Sequence, residues 1–228
     1  MKKAALILAA AALAVGGFAK ELVVGIFDSA IPPFVQTDAN GELSGWEIDL
    51  AKILAAKTGR PLKMRRIVFG ELFSALQRRE IDVVVAMISD TEARRRSFDL
   101  SKNYAQGGCA FLYRKNGTVP TMITAERMRI GTVDGVLADI YLCRHGLNPT
   151  RYDTCEEGVK DLLAGKLDTF FFDLYGMKKF LDTHPELALS ALETRDRYSM
   201  VIRKGEQSLL DAANAAVDEF LAGKDLRK

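Results

Sequence analysis

Leu76-Gln77-Arg78-Arg79-Glu80-Ile81-Asp82 runs into Val83-Val84-Val85-Ala86-Met87, and Leu163-Ala164-Gly165-Lys166-Leu167-Asp168 runs into Thr169-Phe170-Phe171-Phe172. Each stretch reads as a helix end, a tight turn and an Asp that opens a strand. The strands are continuously apolar rather than alternating, so both faces are covered. That implies α/β units with mainly parallel strands. The two stretches echo each other, although ordinary αβ turn chemistry also generates such a pair.

Working outward, strands and helices alternate twice. Leu22 to Ile26 is a β-branched strand, and Ile31-Pro32-Pro33 and Asp38-Ala39-Asn40-Gly41 are turns. Trp46 to Thr58 has helical spacing, with Leu50, Ile53 and Leu54 on one face and Gly59 and Pro61 as the stop. Leu62 to Val68 is a strand and Glu71 to Arg79 a helix. The pattern restarts after Tyr104: strand Arg129 to Val133, helices Leu137 to Arg144 and Glu156 to Ala164, then the Phe170 strand and helix Leu174 to Asp182. A strand from Tyr198 to Arg203 and an amphipathic helix carrying Leu210, Ala213, Val217 and Phe220 close the chain. Two α/β lobes fit this order better than one sheet.

The beginning reads as an address. Met1-Lys2-Lys3, the apolar run Ala4 to Val15 and the small residues Gly17 and Ala19 make a secretory signal, residues 1–19, cleaved after Ala19. A retained anchor is the alternative, but the run is shorter than the roughly 20 residues a span needs. The 228 residues are 48% hydrophobic and 27% charged, which excludes disordered and collagen-like classes. Removing the signal takes Lys2 and Lys3 and leaves 30 basic against 30 acidic residues, so no global field favours nucleic acid. In an oxidising compartment Cys143 and Cys155, flanking His145-Gly146-Leu147-Asn148-Pro149, are candidates for a loop-closing disulfide. The alternative is buried free thiols, and Cys109 reads as a buried strand thiol. No Cys-x-x-Cys occurs and His145 and His184 stand far apart, so no metal site is expected.

The chain lacks G-x-G-x-x-G, a P-loop and G-x-S-x-G. Gly131-Thr132-Val133-Asp134-Gly135 is either a plain βα turn or backbone N–H groups for an anion. Arg94-Arg95-Arg96 is either a solvated helix face or, because it follows a buried strand, a fork for a carboxylate with the Ser89 hydroxyl beside it. Ligand crevices form outside the carboxyl ends of such strands. Asp173 ends the equivalent second strand. It is an acid at the crevice mouth or a helix N-cap. Arg on one lobe and Asp on the other would bracket a zwitterion.

Pro32-Pro33-Phe34 and Gly41 to Ala51, then Thr91-Glu92-Ala93-Arg94 with Asp99-Leu100-Ser101 and Tyr104, then Gly165 to Asp168 running into Asp173, and finally Tyr198 to Gly205, occur in the order found in bacterial extracellular solute-binding proteins of family 3. The chain resembles that family over nearly its whole length. The resemblance implies two Rossmann-like α/β lobes joined by a two-strand hinge, the type II periplasmic binding protein arrangement. Lobe 1 would be residues 20–106 plus 200–228 and lobe 2 residues 107–199. It also implies an exported monomer without cofactor that closes on an amino acid or related carboxylate and delivers it to an ABC permease.

Carried over by position, the resemblance makes Arg94 the α-carboxylate anchor, Ser89 its neighbour and Asp173 the α-ammonium acceptor. Phe34 and Phe69 become aromatic walls and Asp28 a contact for the ligand side chain. Leu137 falls in the second-lobe contact, where Gly135-Val136-Leu137 replaces the family's Gly-Thr-Thr and loses its hydroxyls. Ile31 replaces a common aromatic residue and Met87 a small one. Two rival functions share the fold: an enzyme like cyclohexadienyl dehydratase, with Asp28 or Glu47 as acid, and a sensor with a degenerate pocket.

Overall fold

A computed structural model describes residues 19–225. The expected signal segment therefore lies outside the described residues except for Ala19. The chain begins with strand β1 (Leu22–Phe27), the short pair β2 (Gln36–Thr37) and β3 (Leu43–Ser44), helix α1 (Trp46–Thr58) and strand β4 (Leu62–Ile67). A 3-10 turn over Phe69–Glu71 leads into α2 (Leu72–Gln77), then β5 (Val83–Ser89), α3 (Glu92–Ser97), β6 (Phe98–Gly107) and β7 (Cys109–Arg114). Next come α4 (Met122–Ala125), β8 (Ile130–Val133), α5 (Leu137–Arg144), β9 (Thr150–Tyr152) and α6 (Cys155–Leu163). The chain continues through β10 (Thr169–Asp173), α7 (Leu174–Thr183), β11 (Leu187–Leu189), β12 (Asp196–Arg203) and α8 (Gln207–Asp225).

Two five-stranded sheets result, in the orders β4-β1-β5-β12-β6 and β11-β7-β10-β8-β9. The continuous apolar runs mean what two-sided burial requires. Val83 and Val85 enter one core cluster with α1 and α8, while Val84, Ala86 and Ile88 enter another beneath α2. In the second sheet Phe170 packs with α6 and α7 on one face, and Phe171 packs with α5 on the other.

The expectation of mainly parallel strands is corrected. β1 runs parallel to β4 and β5, and β8 to β9 and β10, but the pairings of β12 with β5 and β6, and of β7 with β10 and β11, are antiparallel. The reason is connectivity. β6 passes into β7 through Gly108 alone, and β12 returns from the second sheet after β11, so these strands enter without a crossover helix. At that crossing a Cβ on Gly107 would overlap the Tyr198 phenol, and one on Gly108 the Thr194 carbonyl.

The Cys143–Cys155 disulfide is also corrected: all three cysteines are free thiols. Cys143 lies on the exposed side of α5, where its sulfur accepts from Arg151 at 3.0 Å and donates to Asp139 at 3.6 Å. Cys155 is buried in the cluster on the other face of the sheet. The sheet stands between the helices that carry them.

Candidate functional site

A cleft of about 710 Å³ opens between the sheets, and Asp28, Phe34, Phe69, Ser89, Arg94, Leu137 and Asp173 all line it. Asp28, Ser89 and Asp173 stand at or just past the carboxyl ends of β1, β5 and β10, where the edge of a wound sheet leaves a crevice.

Arg94 is placed by a capped turn. Thr91 is the N-cap of α3, and its hydroxyl oxygen accepts the Arg94 N–H at 3.3 Å. The guanidinium then turns back into the cleft, donating to the Ser89 carbonyl at 2.7 Å and resting 5.4 Å over the Phe73 ring. Burial pulls its pKa below the ordinary arginine value, opposed by the Asp196 carboxylate. The next two arginines go elsewhere. Arg95 makes a bidentate pair with Asp90, 2.6 Å for each bond, and Arg96 binds Glu92 at 2.6 Å on the exposed face. The basic run therefore divides: Arg94 lines the cleft, and its neighbours form ion pairs on the exposed face.

Asp173 likewise carries both of its expected placements. Its Oδ1 accepts the Tyr175 N–H at 2.8 Å as N-cap of α7, and its other oxygen accepts from the Tyr198 phenol. Burial raises its pKa to about 6, against the pull of those hydrogen bonds. Tyr198 belongs to β12 of the first sheet, so this contact joins the two halves.

The aromatic residues divide. Phe34 has no exposed surface and backs the cleft from beneath, edge-on to Trp46, Tyr175 and Tyr198 at 5.1, 4.8 and 5.7 Å between ring centroids. It is held by the start of α1, whose Trp46 and Glu47 N–H groups donate to the Pro33 and Phe34 carbonyls, each at 3.0 Å. Only a glycine allows that approach, because a Cβ on Gly45 (φ 115°) would overlap the Phe34 carbonyl. Phe69 is half-exposed and sits edge-on to Phe27 and Phe73, 6.4 Å from each.

At the start of α5, the Gly135 N–H donates to Asp139 at 3.2 Å, and the N-cap Val136 offers no side-chain bond. An acid thus occupies the turn that was an anion candidate, and Leu137 gives the cleft an apolar wall. Sequence reasoning also missed several neighbours. Asp196 opposes Arg94, Lys179 binds Glu156 at 2.5 Å, and Cys109 and Cys155 reach the cleft. Asp196 stands two residues before the Tyr198 strand, and that proximity was the only signal for it. Glu47 is a candidate acid of the rival enzyme reading. It is buried, with Oε1 accepting from the Met87 N–H at 2.6 Å and from the Tyr104 phenol, and burial raises its pKa to about 7.

Residues 22–228 match the model of the bacterial extracellular solute-binding proteins, family 3. The chain belongs to that family. ArgBP of T. maritima, in its P235GK mutant form, superposes with a TM-score of 0.80 at 26% identity, covering 90% of this chain and 91% of the other. The two sheets and the cleft between them are accordingly the type II periplasmic binding protein fold. The L-arginine-binding protein of Pseudomonas aeruginosa is 28% identical, covering 97% of this solute-binding protein and 92% of its relative. The L-cystine-binding protein TcyJ of Escherichia coli K12 is 26% identical, covering 87% and 77%. These relatives are named for binding rather than for catalysis. Among the described residues no helix is long and apolar enough to cross a membrane.

Proposed function

We propose that this chain is exported by its first 19 residues, captures an amino acid between two lobes, and presents the closed form to an ABC permease. The observation that carries the reading is that Arg94, on α3 beside the first sheet, and Asp173, at the end of β10 in the second sheet, line one cleft. A guanidinium suits the ligand's carboxylate and a carboxylate its ammonium group. The expected lobes, residues 20–106 plus 200–228 and 107–199, are adjusted here to 20–107 with 196–228 and 108–195, because β6 runs to Gly107 and β12 begins at Asp196. The mature protein would act as a monomer.

The charge of the cleft supports a cationic amino acid as the ligand. Asp28, Asp134, Asp153, Glu156, Asp173 and Asp196 line it against Arg94 and Lys179, with Lys179 held by Glu156 and Asp134 facing Arg151 at 3.5 Å. A cavity walled by one sign of charge concentrates the opposite sign. Binding rather than catalysis is supported by the state of Glu47, whose bonded oxygen is spent on Met87 and Tyr104. Asp28 has no such engagement, so incubation with prephenate and arogenate, followed by product analysis, is the complementary check; no product is expected. The main test is titration calorimetry of the mature protein with the twenty protein amino acids. Binding of L-arginine or L-lysine at about micromolar Kd or tighter is expected, and a chain that binds no amino acid would refute the reading.

A further inference from the structure

Met87 has φ 49°, a left-handed conformation that residues with a side chain seldom adopt, and it does so inside the ligand cleft. The strand register gives the cause. Val84 pairs with Val201 and Ile88 with Ser199, so Val85, Ala86 and Met87 together face Met200 alone. β5 bulges there, and bulges re-aim side chains and release backbone groups from the ladder. The released Met87 N–H donates to Glu47 Oε1 at 2.6 Å and to the Tyr104 hydroxyl at 3.0 Å. Glu47 and Tyr104 are each only 1% exposed and are bonded to each other, so a buried acid–phenol pair is built around the bulge. Glu47 is fixed in turn by its own N–H, which donates to the Phe34 carbonyl. Glycine would take this backbone conformation without strain. What the thioether adds is a half-buried side chain at the cavity that packs against the core cluster to which Phe34, Tyr104 and Tyr198 belong.

We propose that Met87 is a specificity-determining residue: its side chain fills the first-lobe side of the cavity and limits the length of ligand side chain the closed protein accepts. This rests on the amino-acid reading above. In an apolar pocket one methylene changes affinity roughly 10–200-fold, so a residue the size of Met is large enough to set a cut-off.

The experiment is titration of native protein and of Met87→Gly, Met87→Ala and Met87→Leu with the twenty protein amino acids, L-ornithine and L-homoarginine. Gly and Ala should shift preference among the bound ligands at least tenfold toward the longer side chains, read for cations as the ratio of L-homoarginine to L-ornithine affinity. Leu, which keeps the volume, should keep the native ratios. Ala guards against the Gly variant failing to fold. Native binding with ratios unchanged in the Gly and Ala variants would overturn the role of Met87 alone. A native protein that binds none of these compounds would instead overturn the amino-acid reading, and the role of Met87 with it.

Discussion

Arg94, Arg95 and Arg96 are chemically identical and adjacent, yet only the first reaches the cleft, because the Thr91 cap starts a helix that turns one side chain inward and the next two toward Asp90 and Glu92. A hydrogen bond to a buried charged group contributes about 1.5–3 kcal/mol, and truncation also strands the ligand carboxylate. Arg94→Ala should therefore weaken amino-acid binding by at least ~2 kcal/mol, roughly 30-fold by calorimetry. Arg94→Lys should recover only part, since it loses the planar fork. Arg95→Ala and Arg96→Ala should leave affinity nearly unchanged, and equal losses at all three would show a diffuse field instead. The acids make a second prediction. Burial raises Asp173 to about 6 and Glu47 to about 7, both above the ordinary carboxylate range. The folded state thus binds these protons more readily than the unfolded one. Their contribution to stability is full in acid and is lost as pH rises through 6 to 7. Ligand-free protein should melt higher at pH 5.5 than at pH 7.5 on their account, and Asp173→Asn should shrink the difference. Ligand affinity should move oppositely, falling as pH drops below about 6, because only ionised Asp173 accepts an ammonium. A ligand affinity that does not change between pH 7.5 and 5.5 would remove Asp173 from the site.

β5 and β10 were legible in the sequence because two-sided burial writes itself as an unbroken apolar run, and α1 was legible because Gly59 and Pro61 stop a periodic face. β6 was not. Its Asp99, Lys102 and Asn103 look like loop residues and become strand through partners far away, with Lys204 and Gly205 on Asp99, Asn214 and Asp218 on Lys102, and Ser199 on Asn103. The bulge at Met87 was equally hidden, since register is a property of β5 and β12 together. The site was half legible. Arg94, Ser89 and Asp173 follow from strand ends and charge, whereas the submersion of Phe34 depends on how α1 caps the loop before it. The cysteines show the limit of spacing: Cys143 and Cys155 lie close in sequence but on helices covering opposite faces of one sheet. Burial pushes the Cys109 and Cys155 thiols well above their ordinary pKa, which slows their reaction. Alkylation of protein never exposed to reductant should label Cys143 rapidly in the native state and all three thiols after denaturation. A Cys143–Cys155 linked peptide would contradict this.

Across the whole molecule, the chain passes between the sheets twice, at Gly107–Gly108 and again over the residues between β11 and β12. Contacts between the halves gather near that crossing: the Tyr198 phenol on Asp173, the Tyr175 hydroxyl on the Gln106 carbonyl at 3.2 Å, and Phe34 against Tyr175. The arrangement leaves Arg94 and Asp173 on walls carried by different sheets. A ligand that engages both gains most when the walls approach, and hinge motions of this kind need only a few residues to change conformation. On the proposed function, one amino acid bridges the two sheets. Small-angle X-ray scattering of the mature protein, without ligand and at saturation with the amino acid it binds most tightly in the calorimetric panel, tests it most directly. A smaller radius of gyration is expected on saturation in native protein, with less of that compaction in Arg94→Ala at the same ligand concentration, in proportion to its weaker binding. A native profile that stays unchanged at proven saturation would contradict it.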